Sequence, residues 1–118
     1  MRVLLLDDSD LVCRAISRML KRLNCEVVGP FATTKEALTA LETEQVDAGL
    51  LDFTLRGGTS EPVAVALQAD DRPFVLLTGH AAKVTFPDVF SDAIRLIKPI
   101  TMENLQETLD KVRLKIRG

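Results

Sequence analysis

A chain of 118 residues suits a single domain, long enough to bury a core without disulfides or a structural metal, so residues 1–118 are expected to form one unit. Hydrophobic residues make up 47% and charged residues 27%, which excludes disorder, and a net charge of −2 with a pI near 5.4 speaks against a nucleic-acid partner, which calls for a basic face. The apolar runs are far shorter than a membrane span and the start lacks the cleavage site of a secretory signal, so a cytoplasmic protein with no membrane partner is expected.

Residues 2 to 6 are a continuous apolar run of strand length, the pattern of a strand buried on both faces. Ser9 is a plausible N-cap, and Leu11, Val12, Ala15, Ile16, Met19, Leu20 and Leu23 recur at helical spacing until Asn24 ends the helix. Cys25 to Pro30 gives a second short strand closed by Gly-Pro. Cys13 and Cys25 form no CxxC or Cys/His set and read as buried free thiols. Thr33-Thr34-Lys35-Glu36 matches a capping box for a helix ending near Glu44.

The third strand runs from Val46 to Asp52, followed by a loop from Phe53 to Gly58. Ser60-Glu61-Pro62 opens a short helix through about Ala69, with Pro tolerated in a first turn. Phe74 to Thr78 is a fourth buried strand; from Gly79 to Ser91, interrupted by Pro87, a short or irregular helix is the most the pattern supports. Ala93 to Ile97 is the fifth strand, ending at Lys98-Pro99. Thr101 caps a last helix with Leu105, Leu109, Val112 and Ile116 inward. Five strands alternating with helices predict an α/β fold, a doubly wound parallel sheet covered on both faces.

In open parallel sheets, ligands gather beyond the carboxyl ends of the strands. Those ends carry Asp7 and Asp8, then Asp52, Thr78 and Lys98. Each has a plain reading taken alone: Asp52 as a solvated strand-end acid, Asp7-Asp8 as a helix start, Thr78 as β-branched filler, Lys98 as a surface lysine. Together they read differently. Three carboxylates in one pocket repel unless a cation sits among them, and an oxygen-only set without His or Cys suits Mg²⁺ with a phosphate. A hydroxyl and a lysine opposite suit the remaining oxygens of a phosphoryl group, so the set reads as a magnesium-assisted phosphoryl acceptor.

Asp7-Asp8, Asp52, Thr78-Gly79 and Lys98-Pro99, in that order along essentially the whole chain, resemble the receiver domain of two-component response regulators, of the stand-alone type. The resemblance implies the flavodoxin-like receiver fold with strand order 2-1-3-4-5. It implies that Asp52 accepts a phosphoryl group from a histidine kinase or histidine phosphotransfer protein. Asp8, Asp52 and the backbone carbonyl of Thr54 would ligate Mg²⁺, with Asp7 acting through water. Lys98 would neutralise phosphoryl charge, its peptide to Pro99 cis, and Thr78 would swing toward the phosphoryl oxygen. The chemistry would be confined to self-phosphorylation and autodephosphorylation, with a downstream protein bound on the face of the last strand and helix.

The chain departs from the family three residues before the lysine, where Arg95 stands in place of the usual switch aromatic. Arg95 is then either a solvated edge residue or a partner contact. Phe74-x-x-x-Thr78-Gly79 is similar to a subgroup of stand-alone receivers that lack this aromatic and carry a tyrosine soon after Thr-Gly; here the nearest residue is His80. His80 and Thr54 are expected to tune dephosphorylation by flanking the path of the hydrolytic water. Two other functions compete: a receiver-like module that binds its partner independently of phosphorylation, and an aspartyl-phosphate phosphatase, disfavoured because Thr54 stands where a second aspartate is required.

Overall fold

The computed structural model describes residues 1–79 and 85–117. Its main sheet has five parallel strands, β1 (Arg2–Leu6), β2 (Glu26–Phe31), β3 (Ala48–Asp52), β6 (Phe74–Thr78) and β7 (Ile94–Ile97), in the order β2-β1-β3-β6-β7. Numbering only these strands, the order is the expected 2-1-3-4-5. The helices are α1 (Asp10–Arg22), α2 (Thr34–Thr43), α3 (Glu61–Ala69) and α4 (Met102–Arg117).

Alternation along each central strand divides the core in two. Val3 and Leu5 of β1, Leu50 of β3, and Val75 and Leu77 of β6 face Ile16 and Leu20 of α1 and Leu105, Leu109 and Val112 of α4. Leu4, Leu6, Leu51 and Leu76 point the other way, onto Ala37 of α2, Val63 and Leu67 of α3, and Phe90. Successive strand side chains alternate faces, so a strand apolar at every position needs helices on both sides. Each fully buried leucine contributes roughly 1.5–3 kcal/mol, which ties the register of β1 and β3 to the fold.

Several expectations are corrected. The stretch after Asp52 is not a plain loop: β4 (Thr54–Leu55) and β5 (Gly58–Thr59) form an antiparallel hairpin turning at Arg56-Gly57. The second strand extends to Phe31 and contains a bulge, since Leu4 pairs with Val28 but Leu6 with Phe31. Gly29, at φ +107, makes that bulge possible, because a Cβ there would lie 2.8 Å from the Phe31 nitrogen. Leu11 is 79% exposed and Ile116 45%, so neither faces the core as their spacing suggested.

Between β6 and β7 the described cover is one 3-10 turn, Asp88–Phe90. It seats Phe90, fully buried, edge-on against Phe53, Phe74 and Phe86 at ring-centroid distances of 5.6, 5.8 and 6.3 Å. His80 lies outside the described residues.

The caps follow the sequence signals. Ser9 Oγ accepts from Val12 N–H, and Thr33 Oγ1 accepts from Glu36 N–H. Thr101 and Asn104 exchange two reciprocal backbone-to-side-chain hydrogen bonds at the start of α4. Both cysteines are buried and unpaired. Among the described residues, no helix is long and apolar enough to cross a membrane.

Candidate functional site

Register brings the strand-end residues to one edge. Leu6 of β1 pairs with Leu51 of β3, Asp52 with Leu77 of β6, and Thr78 with Ile97 of β7, so the residue after each strand emerges at the same level. Asp7, Asp8, Asp52, Thr78 and Lys98 are thereby brought together from four strands. Asp7, Asp8 and Asp52 each offer a carboxylate oxygen within 4.8 Å of the others.

The three acids have different surroundings. The Asp7 side chain is fully buried, and both its oxygens are taken: Oδ1 accepts from Ser9 N–H at 2.9 Å and Oδ2 from Lys98 Nζ at 3.0 Å. Asp52 is half-buried. Its Oδ1 accepts from Phe53 N–H at 3.1 Å and lies 3.5 Å from Lys98 Nζ, while Oδ2 has no partner among the described residues. Among the described residues, Asp8 accepts one hydrogen bond, from Arg56 N–H to Oδ2 at 3.1 Å.

Among the described residues, three carboxylates and one ammonium leave an excess of negative charge. Burial raises the pKa of Asp52, and the neighbouring Asp7 charge adds to the rise, against the opposing pull of Lys98. Burial works against the charged form of Lys98, but its hydrogen bond to Asp7 and the charge of Asp52 outweigh this and raise its pKa too. Behind the site the Cys13 thiol donates to the Asp7 carbonyl at 3.1 Å, and burial followed by the Asp7 charge pushes it up to about 11, which keeps it unreactive at neutral pH.

The donor set fits a hard divalent cation. The cluster offers carboxylate oxygens alone, Asp8 and Asp52 each keep one oxygen without a protein partner among the described residues, and the residual charge calls for a cation. Asp7, with both oxygens occupied, suits a water-mediated contact better than direct ligation.

A stability prediction follows from Asp52. Its folded-state pKa lies above the unfolded value, so stability falls as pH rises through that window, and the full penalty is present at pH 7. Asp52→Asn removes it and leaves Lys98 paired with Asp7. We expect the variant to gain about 1 kcal/mol at pH 7 and to lose that advantage in acid; a lower thermal midpoint than wild type at pH 7 counts against this account.

Thr78 shares this edge, and the other expected residues lie on several elements around it. Thr78 ends β6, is 7% exposed, and its carbonyl accepts from Lys98 N–H at 2.8 Å. Gly79 follows it at the surface, and Thr54 opens β4 with an exposed side chain. The Lys98–Pro99 peptide is cis. Arg95 is exposed on β7, yet it is more than a solvated edge residue: its guanidinium carbon stands 5.1 Å from the Phe86 ring centroid. Phe86 in turn meets Phe53, the residue after Asp52, at 5.1 Å. Sequence reasoning missed Arg56, Phe53 and Phe86. The first two act here through backbone N–H groups, which residue identity does not reveal, and the third meets Arg95 across nine residues of sequence, a contact that no spacing signals.

The chain matches the response regulator receiver domain over residues 3–110 and belongs to that family. It is a receiver domain of two-component signalling with the chemotaxis-protein-like flavodoxin fold. Among solved structures, SdrG from Sphingomonas melonis Fr1 superposes with a TM-score of 0.79 at 34% identity, covering 100% of this chain and 97% of that one. The BeF3-activated conformation of SdrG from Pseudomonas melonis Fr1 gives 0.75 at 35% identity over 92% of each chain. Vibrio cholerae chemotaxis protein CheY4 gives 0.80 at 25% identity, covering 94% of this chain and 97% of that one. No curated protein sequence matches the chain.

Proposed function

We propose that residues 1–118 form a cytoplasmic phosphoacceptor receiver that takes a phosphoryl group onto Asp52 from a phosphohistidine of a histidine kinase or phosphotransfer protein. The observation that carries this reading is Asp52 Oδ2: it alone of the Asp52 and Asp7 oxygens has no protein partner among the described residues, and its carboxylate belongs to an acid cluster that Lys98 neutralises only in part. The Asp52 oxygen attacks phosphorus, a P–O bond forms, and the P–N electron pair leaves with the imidazole. Lys98, already 3.5 Å from Asp52 Oδ1, offsets charge on the transferred group. Thr78, at the end of β6, would follow the phosphoryl oxygen. Asp8, Asp52 and the Thr54 carbonyl would hold Mg²⁺, with Asp7 through water; when bound, Mg²⁺ would offset the negative charge of the phosphoryl oxygens.

The acyl phosphate would change how the domain binds a protein on the face of β7 and α4, or be passed on. Support comes from the family match and from SdrG, a relative at 35% identity whose BeF3-activated conformation is known. Incubation with acetyl phosphate or phosphoramidate and Mg²⁺ should add one phosphate by intact mass, absent from Asp52→Asn and without Mg²⁺. An adduct that persists in Asp52→Asn refutes the assignment.

The competing reading, a binding module indifferent to phosphorylation, draws on Arg95 standing in place of the switch aromatic. Affinity for the partner with and without beryllofluoride and Mg²⁺ separates the two. His80, outside the described residues, and Thr54 are proposed to tune the lifetime of the phospho-form, which His80→Ala and Thr54→Ala should change.

A further inference from the structure

The β4–β5 hairpin is fastened at its base, its side and its tip. Ser60 N–H donates to the Phe53 carbonyl at 3.0 Å and closes the base. Thr34 Oγ1, in the first turn of α2, donates to the Thr59 carbonyl at 2.7 Å. Arg56 N–H at the tip donates to Asp8 Oδ2 at 3.1 Å, across 48 residues of sequence. The hairpin begins two residues after Asp52, so the chain leaving one acid of the cluster returns to grip another.

Asp8 needs such a grip. It lies beyond the end of β1, partly exposed, and the ammonium of Lys98 is committed to Asp7 and Asp52. Among the described residues, the Arg56 N–H is the one hydrogen-bond donor to its carboxylate. A carboxylate ligand free to rotate must lose that freedom on binding a cation; one already held loses less.

We propose that Arg56 is a positioning residue for Asp8, acting through its backbone N–H and not through its guanidinium: the N–H fixes one carboxylate oxygen and leaves the other to the cation. This rests on the reading of the acid cluster as a Mg²⁺ site. The turn makes the N–H separable from the fold. Leu55 pairs with Gly58, Gly57 has φ +80, and Arg56 is not among the positive-φ residues, the combination of a type II turn, in which proline is favoured at the position Arg56 holds. Arg56→Pro therefore deletes the donor while suiting the turn, and Arg56→Ala keeps the donor while deleting the guanidinium.

Mg²⁺ binding to the full chain, measured by calorimetry at fixed ionic strength, tests this with wild type, Arg56→Pro, Arg56→Ala and Asp8→Asn. Arg56→Pro should bind Mg²⁺ about tenfold more weakly, with Arg56→Ala at the wild-type value and Asp8→Asn weaker still. If Asp8→Asn weakens binding and Arg56→Pro does not, the positioning role is overturned and the metal reading stands. If Asp8→Asn binds as wild type, the metal reading fails and takes this inference with it. Equal weakening by Arg56→Ala makes the guanidinium the agent and also overturns the proposal. Should Arg56→Pro fail to fold, amide hydrogen exchange decides: the Arg56 N–H should be protected in wild type without Mg²⁺ and exchange fast in Asp8→Ala, and equal exchange in both overturns it.

Discussion

Phe90→Ala should cost 3 to 5 kcal/mol of stability, about the range for emptying a fully buried aromatic site. Phe90 has no exposed surface and is the hub of the aromatic group, in edge-on contact with Phe53, Phe74 and Phe86. It is carried by a 3-10 turn, Asp88–Phe90. For a domain whose total stability is about 5–15 kcal/mol, this loss is a large fraction. Urea unfolding should show a lower midpoint at an unchanged slope, with Phe90→Leu much milder because volume is mostly kept. A loss in Phe90→Ala below about 1 kcal/mol would show that the aromatic group is not what covers this end of the sheet.

What could be read beforehand divides along physical lines. Strands buried on both faces need apolar residues at every position, so Arg2–Leu6, Ala48–Asp52 and Phe74–Thr78 announce themselves as runs, and the polar residue that ends each run marks the ligand edge. Given a parallel sheet, Asp7, Asp8, Asp52, Thr78 and Lys98 had to converge. Helix faces were legible only where the sheet extends far enough to be covered. Ile116 continues the stripe of Leu105, Leu109 and Val112, but α4 has 16 residues and β7 has four, so the helix outruns the strand and its last turn meets solvent. At 1.5 Å per helical residue and 3.3 Å per strand residue, the two lengths are about 24 and 13 Å. Leu11 fails for a related reason: it and Val12 are adjacent, about 100° apart around α1, and only Val12 packs against the core.

The hairpin and its hold on Asp8 were hidden because the donor is a backbone N–H reaching across 48 residues. Gly57-Gly58 signalled a turn there but not what the turn would touch. Arg95 was legible as a departure from the family and illegible as a contact, since its partner Phe86 belongs to another element. The line Asp52, Phe53, Phe86, Arg95 is a chain of physical contacts between the acid cluster and β7.

The second large effect concerns Lys98→Ala, which should lower stability by about 2 kcal/mol at pH 7. Removing one partner of a buried pair costs about 3–5 kcal/mol, and the figure is discounted here because Lys98 and Asp52 are partly reached by water. The loss falls mainly on Asp7, whose fully buried carboxylate would keep only the Ser9 N–H. The pH dependence identifies the cause. The folded-state pKa of Lys98 is raised, so its contribution in wild type is complete below the unfolded lysine value and is lost only as pH rises through the folded one; it is constant from acid to mildly alkaline solution. In Lys98→Ala, Asp52 loses the charge that opposes its rise, so its folded-state pKa moves further up. The folded variant then binds more protons than its unfolded chain, and its stability falls as pH rises from the carboxylate range to neutrality. The gap between wild type and Lys98→Ala should therefore be small in acid and widest at neutral pH, and Asp52→Asn placed in the Lys98→Ala background should recover part of it. Parallel stability curves for wild type and Lys98→Ala across that pH range would mean that Lys98 contributes by packing its methylene chain and not by holding the acid cluster together.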